Sequence, residues 1–458
     1  MNKTSELTDF QNKFFWVFVF SALMCFSPLK TLAYFIPFII VIFLLIFSSE
    51  RLIIFAKMIK FIVILTAVFL IYFIISDSSD FSKQNYLLAI VTFSCFIPLF
   101  VLDYRKLGNQ ALLRKTLGFL LILFSVEGIV GIVQGVFGFM QNGIFSADNG
   151  DIVQGTIFPH LRPENTFSNP MFAISMILIF ISLTARIFYF HERKNWLIII
   201  GLLSIVLASV VHAIIFLGLA ILISLFIVRP KLKDLGINSV KSKVASMGLI
   251  IIFIMATAYF IGDNFKNIPD FYNLIVSEKV PRSTIVTNVL VDIPHDTPSS
   301  RWLGLGPGQF SSRASLIGSG TFIGGYNDAR SITFLEPRAS SSVKQYLIPL
   351  IEAWAGVTWS SSTFQPYLSL LTIIAEVGFI GLGIFLYFVG KVVVSVKNTI
   401  EKEPEKKSLG FVFLTGFVFI FLLGFQENYY EVPQAIFIGV LTLQILYAII
   451  KAPPQTNR

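Results

Sequence analysis

The sequence predicts an all-α polytopic membrane protein, with about twelve transmembrane helices and one long, partly helical external loop. Three observations carry that expectation. Hydrophobic residues make up 55% of the 458 residues and charged residues only 13%, against roughly a quarter charged in an ordinary soluble domain. The apolar residues gather in runs long enough to span ~30 Å of hydrocarbon. When those runs are taken as spans, Lys and Arg sort onto alternate sides.

The runs fall near residues 14–29, 31–47, 58–75, 86–102 and 116–139, then 170–188 and 246–262, and finally 366–390, 410–425 and 432–450. The first ends in "SPLK" with no small-residue cleavage site, and a second run follows at once, so it reads as a retained span. Residues 196–228 would make a helix of about 50 Å, too long for one crossing. They are read as two short spans joined by a tight turn at "SVVHA", residues 209–213. This divides the chain into helices in 1–139, a first external loop at 140–169, helices in 170–262, a large external loop or cap at 263–365, and helices with a tail in 366–458.

With a cytoplasmic N-terminus, 24 of the 35 Lys and Arg residues lie in cytoplasmic segments, and eight of the others lie in the long loop. Both termini are therefore expected in the cytoplasm. The formal charge of +9 reads as membrane topology, with no nucleic-acid partner expected. Cys25 and Cys95 sit inside apolar runs and imply neither a disulfide framework nor a zinc site. The four histidines lack HExxH spacing, GxSxG is absent, and no metal is expected. No internal repeat of 20 to 50 residues is visible.

Three sets of residues remain for chemistry. "RWLGLGPGQF", residues 301–310, matches neither a dinucleotide fingerprint nor Walker A. Its Gly304, Gly306 and Gly308 either let the backbone approach a phosphate or sugar closely or simply turn the chain between two pieces of the cap. The external arginines Arg162, Arg282, Arg301, Arg313, Arg330 and Arg338 suit a bidentate grip on phosphate. Eight acidic residues in the same long loop leave surface pairing as the alternative. Within the spans, Glu127, His212 and Glu376 are costly in lipid and should face the bundle interior. For these the alternative is a hydrogen bond between helices or, for His212, exposure at the outer interface. Glu427 and Glu431, in "QENYYE", are expected to be solvated.

Three stretches resemble motifs of the O-antigen polymerase and O-antigen ligase superfamily of bacterial envelope polysaccharide assembly. "RPENTFSNP", from Arg162 to Pro170, resembles an arginine, a short spacer, a Phe and Asn-Pro opening a helix, with Asn165 where a glycine is frequent. "GLGPGQF", preceded by Arg282 and its helix, resembles Gly-x-Gly-Pro-Gly-x-Phe. "YLSLLTIIAEVGFIG", from Tyr367 to Gly381, resembles the Tyr-Leu and Glu-x-Gly helix that follows the long loop. Together they run in order over roughly residues 116–450.

The resemblance implies a GT-C-like architecture and inverting glycosyl transfer without metal or cofactor, at the outer face of the bacterial inner membrane. An undecaprenyl-pyrophosphate-linked glycan would be the donor and a chain-length regulator protein a partner. It implies Arg162 and Arg282 as pyrophosphate ligands with Arg301 third. Asn169, Gly304, Gly306 and Gly308 would lie along the substrate, and Glu376 would join the catalytic set, positioning the loop or the acceptor. Ligases of the family carry His-Asn before the Tyr-Leu; Phe364 and Gln365 stand there in this chain, which favours a repeat-unit polymerase. Relatives often have Ser-Arg where this chain has "SVVHA", so His212 stands near that arginine's place. The alternatives are a ligase passing finished polymer to an acceptor, and a flippase for the lipid-linked oligosaccharide. Against the flippase stand the long loop and the few charges inside spans.

Overall fold

In hydrocarbon every backbone amide must be satisfied within its own segment, so long apolar runs of this kind have one outcome, the α-helix. The computed structural model describes residues 3–48, 50–75, 81–143, 149–159, 168–192, 197–231, 280–320, 338–355 and 366–453, and every regular element among them is helical. The first eight principal helices are α1 (Lys3–Cys25), α2 (Ile36–Phe47), α3 (Arg51–Ile75), α4 (Lys83–Val101), α5 (Gln110–Asn142), α6 (Ser168–Phe188), α7 (Leu197–Leu207) and α8 (Val211–Val228). The cap contributes α9 (Pro281–Thr287), α10 (Ser300–Leu303), α11 (Arg313–Gly318) and α12 (Ile348–Ala355). The chain ends with α13 (Ser369–Lys402), α14 (Lys407–Leu423) and α15 (Pro433–Lys451).

Eight helices among the described residues are long and apolar enough to cross a membrane, and α2 and α7 are shorter apolar helices. The expected span at 246–262 and Arg162 lie outside the described residues. Helix α2 covers only the second part of the run at 31–47, because Pro37 stands in its first turn; proline lacks an N–H to donate, so it opens a helix more readily than it continues one. The long segment 196–228 breaks beside the expected turn: α7 ends at Leu207, Ser209 takes φ 53°, and α8 begins at Val211.

Burial sorts the helices into a centre and a rim. The apolar window of α15 is 94% buried, against 6% for α3 and for α13. Helix α15 is thus the axis of the bundle, while α3 and α13 turn most of their surface outward to lipid. A second apolar core lies beneath the cap, where Ile285, Val289, Phe310 and Leu347 meet Tyr367 and Leu371 at the start of α13. A third, of Tyr72, Phe81 and Tyr86, lies between α3 and α4 and touches Leu303 of the cap.

Helix α13 is interrupted. Gly378 has φ 67° and ψ −174°, far from helical values. This conformation lets the backbone of α10 approach: a Cβ on Gly378 would lie 2.2 Å from the Trp302 carbonyl oxygen. Only glycine meets both conditions, a left-handed φ and no side chain. Gly378→Val is therefore expected to unseat the cap and expose the buried Arg313 to trypsin in the detergent-solubilised protein. Gly383, with nothing within 4 Å of its Cβ position, supplies the control, since Gly383→Val should leave the digest unchanged.

Candidate functional site

The glycine loop is seated on the broken turn of α13. Gly304, Gly306 and Gly308 all have positive φ, at 76°, 106° and 78°. The N–H of Leu305 donates to the Ala375 carbonyl (2.8 Å) and that of Gly306 to the Glu376 carbonyl (2.9 Å). The Glu376 carboxylate then accepts the N–H groups of Gly308 (2.6 Å), Phe310 (3.1 Å) and Ser312 (3.0 Å). Five backbone amides of one loop thus end on two consecutive residues. The other side of the loop is held by Gln309, whose side chain donates to the Ser82 carbonyl (3.0 Å) and accepts the Ser82 N–H (2.9 Å).

Ser312 leads directly into a buried ionic cluster. The N–H of Arg313 donates to Glu431 (2.9 Å) and its guanidinium to Glu427 (3.0 Å). Burial disfavours charge on Arg313, but Tyr34, Glu427, Tyr367 and Glu431 outweigh it and hold the guanidinium above its ordinary value. The turn between α14 and α15 that carries both carboxylates is bonded to its neighbours on several sides. Asn428 donates to the Ser311 carbonyl (2.6 Å) and accepts from the Thr372 hydroxyl (3.2 Å), and the Ser369 hydroxyl donates to the Glu427 carbonyl (3.0 Å). Glu427 and Glu431 are 3% and 0% exposed, which corrects the expectation that they are solvated. The cap closes over their turn and supplies the cation that a buried carboxylate needs.

Arg282, on the first turn of α9, joins the same turn from the other side. Its guanidinium donates to the carbonyl oxygen of Gln426 and to the Gln426 side-chain oxygen, the latter at 3.3 Å. Desolvation lowers its pKa to about 10, against the opposing pull of Glu427, Tyr429 and Tyr367. At neutral pH it remains a cation in a poorly hydrated setting. His212 stacks on Tyr429, with ring centroids 5.9 Å apart, and its Nε2 lies 3.1 Å from the Tyr429 hydroxyl. It is half-buried against this aromatic neighbour.

The structure therefore brings Gly304, Gly306, Gly308, Glu376 and Arg282 into one connected network. Arg301 stands apart, exposed on α10. Asn169 lies at the start of α6, and Arg162 is outside the described residues. Sequence reasoning missed the importance of Arg313, Glu427 and Glu431. The available signal was two carboxylates and two tyrosines crowded into one short turn of a chain with few charges.

The segment between α5 and α6 is held by a similar device. Glu127 of α5 accepts the N–H (2.9 Å) and the hydroxyl (2.5 Å) of Thr156. About two turns further on, the Gln134 side chain accepts the N–H groups of Gln154 (2.9 Å) and Gly155 (2.7 Å) and donates to the Gly155 carbonyl (3.1 Å). Residues 152–155 are buried as a result.

Among the described residues no group of three or more His, Cys, Asp or Glu side chains is placed to hold a metal ion. No family model, curated protein or solved structure matches the chain.

Two expectations test the cluster. Removing one partner of a buried ion pair leaves the other charge uncompensated, so Arg313→Met should destabilise the protein by about 3–5 kcal/mol. Combining it with Glu427→Gln should recover part of that loss in thermal melts. The second concerns pH. Burial, and then the nearby Glu376 carboxylate, push the Glu431 carboxyl up to about 8. A carboxyl raised in the folded state contributes stability that is complete below its ordinary range and is lost as pH rises through the folded value. The melting temperature should therefore fall as pH rises from about 4.5 to about 8, and Glu431→Gln should flatten that fall; an unaltered slope in the variant would contradict the assignment.

Proposed function

We propose that the chain is a glycosyltransferase that polymerises undecaprenyl-pyrophosphate-linked oligosaccharide repeat units into a surface polysaccharide such as O-antigen. One observation carries the reading: "GLGPGQF" and the Glu376 helix, which resemble separate family motifs far apart in the chain, are bonded to each other through Glu376. Arg282, at the head of the helix that precedes the first motif, reaches the same network through Gln426. On this reading twelve spans form a GT-C-like bundle in the bacterial inner membrane. Both termini are cytoplasmic, the cap is on the outer face, and a chain-length regulator protein is a partner.

The chemistry then divides as follows. An acceptor hydroxyl attacks the anomeric carbon opposite the pyrophosphate, a new glycosidic bond forms, and the bond from that carbon to the pyrophosphate oxygen breaks. The electron pair leaves with the pyrophosphate, and the hydroxyl proton passes to a general base. Arg282 and Arg162 stabilise the charge that grows on the leaving group, a task that suits a guanidinium in a water-poor site. Glu376 is a positioning residue, because its two oxygens already accept three amides of the glycine loop. Gly304, Gly306 and Gly308 present the cap backbone to the substrate, and Asn169 lies beside it at the mouth of α6.

Arg282→Ala and Arg162→Ala are expected to abolish long-chain polysaccharide while protein levels in the membrane stay normal, with Arg282→Lys retaining part of the activity. Wild-type chain length in both alanine variants would overturn the proposal. Incubating purified protein with radiolabelled lipid-linked repeat units separates the reading from its alternatives. A polymerase yields covalently lengthened lipid-linked product, a ligase yields glycan joined to its acceptor and only when that acceptor is added, and a flippase yields no covalent product.

A further inference from the structure

The cap has a second apolar face, directed away from the network. From Pro281 to Asp296 the chain is continuously helical, through α9, a π-helical turn at Asn288–Asp292 and a last turn at Ile293–Asp296. One side of this rod, with Ile285, Val289 and Ile293, is buried in the second core. The other side presents Val286, Leu290 and Val291, exposed by 36%, 38% and 55%. Beyond it, Trp302 of α10 is 60% exposed, and its ring meets that of Phe379 edge-on at 6.5 Å. Phe379 in turn is followed along α13 by Ile380 and Ile384, exposed by 49% and 54%. Those last residues belong to a helix apolar enough to span the membrane, of whose apolar window only 6% is fully buried. The cap thus carries exposed apolar residues on this rod and, at Trp302, an exposed ring in contact with the exposed apolar side of a helix long and apolar enough to cross a membrane.

Depth agrees with that contact. The far half of α13 carries its first cations at Lys391 and Lys397. From Gly378, where the helix breaks, to Lys391 and Lys397 is 13 and 19 residues, or ~20 to ~28 Å of helix against a hydrocarbon core of ~30 Å, so the break stands at or just inside the opposite rim. Trp302 lies against Gly378 and Phe379, at that rim, where the apolar ring and polar N–H of an indole are both accommodated. Its neighbour Arg301 is exposed and long enough to carry its guanidinium up to lipid phosphates. The polar end of the rod, where His295 and Asp296 are paired at 3.3 Å, leaves the apolar strip.

We propose that Val286, Leu290, Val291, Arg301 and Trp302 are seated in the lipid leaflet on the cap side, so that the cap is an inserted element of the membrane surface and not a domain standing in water. The inference is independent of the proposed function. If both hold, a lipid-linked substrate meets the glycine loop without rising out of the headgroup layer.

The test uses the full chain in phosphatidylcholine vesicles, with Trp16, Trp196, Trp354 and Trp359 changed to Phe so that Trp302 alone fluoresces. Lipids brominated near the glycerol end of their acyl chains should quench its emission by about twofold or more, and aqueous acrylamide should quench it weakly. Strong quenching by acrylamide with no effect of the brominated lipids would overturn the proposal. A nitroxide on Val291→Cys, in a chain that keeps all its tryptophans, gives an independent reading; the native thiols Cys25 and Cys95 are buried. Collision with oxygen should exceed collision with a water-soluble nickel chelate, and the reverse order would overturn the proposal.

Discussion

Glu376 and the break that follows it hold the cap in place. A loop that packs its backbone against a membrane helix brings peptide N–H groups out of water, and each needs an acceptor. Two carbonyls and one carboxylate, all on Ala375 and Glu376, meet five of them. The arrangement solves two problems at once, because the carboxylate also needs donors to remain in an apolar bundle. Everything downstream depends on this seat. It fixes Ser312, hence Arg313, hence the pairing of Arg313 with Glu427 and the enclosure of the turn that Arg282 grips from the other side.

Glu127 and Gln134 repeat the principle at the segment between α5 and α6. Side chains that are costly inside a bundle stand where they receive the backbone of an incoming segment, so their polarity is used within the protein. In both places the anchor belongs to a long apolar helix and the captured segment to a loop between helices. Loop segments that would otherwise depend on their own small cores thereby take their positions from the bundle.

Much of this was legible in the sequence, though unevenly. The helices followed from length and apolarity, and the bend at Ser209 from a segment too long for a single crossing. Glu127 and Glu376 stood out because a carboxylate within a span needs a reason. What each carboxylate holds was not legible, since the captured amides come from residues 29 and 68 positions away. The run at 31–47 was expected as one span, yet the helix starts only at Ile36, where Pro37 marks its first turn. Glu427 and Glu431 were misjudged for a related cause: a turn at the end of two spans is normally wet, and only tertiary structure reveals that the cap covers it. Arg313 looked like any other external arginine, because nothing local distinguishes a buried guanidinium from a solvated one.

The burial of the Arg313 and Glu427 pair sets how the protein responds to the medium around it. Their side chains are 3% and 4% exposed, so mobile ions cannot come between them, and Debye screening acts mainly on charges in water. The pairs Lys13 with Asp9 and Lys397 with Glu401, each 44% exposed or more, have no such protection and weaken as salt rises. The attachment between cap and bundle is thus insulated from ionic strength, whereas the surface pairs are not.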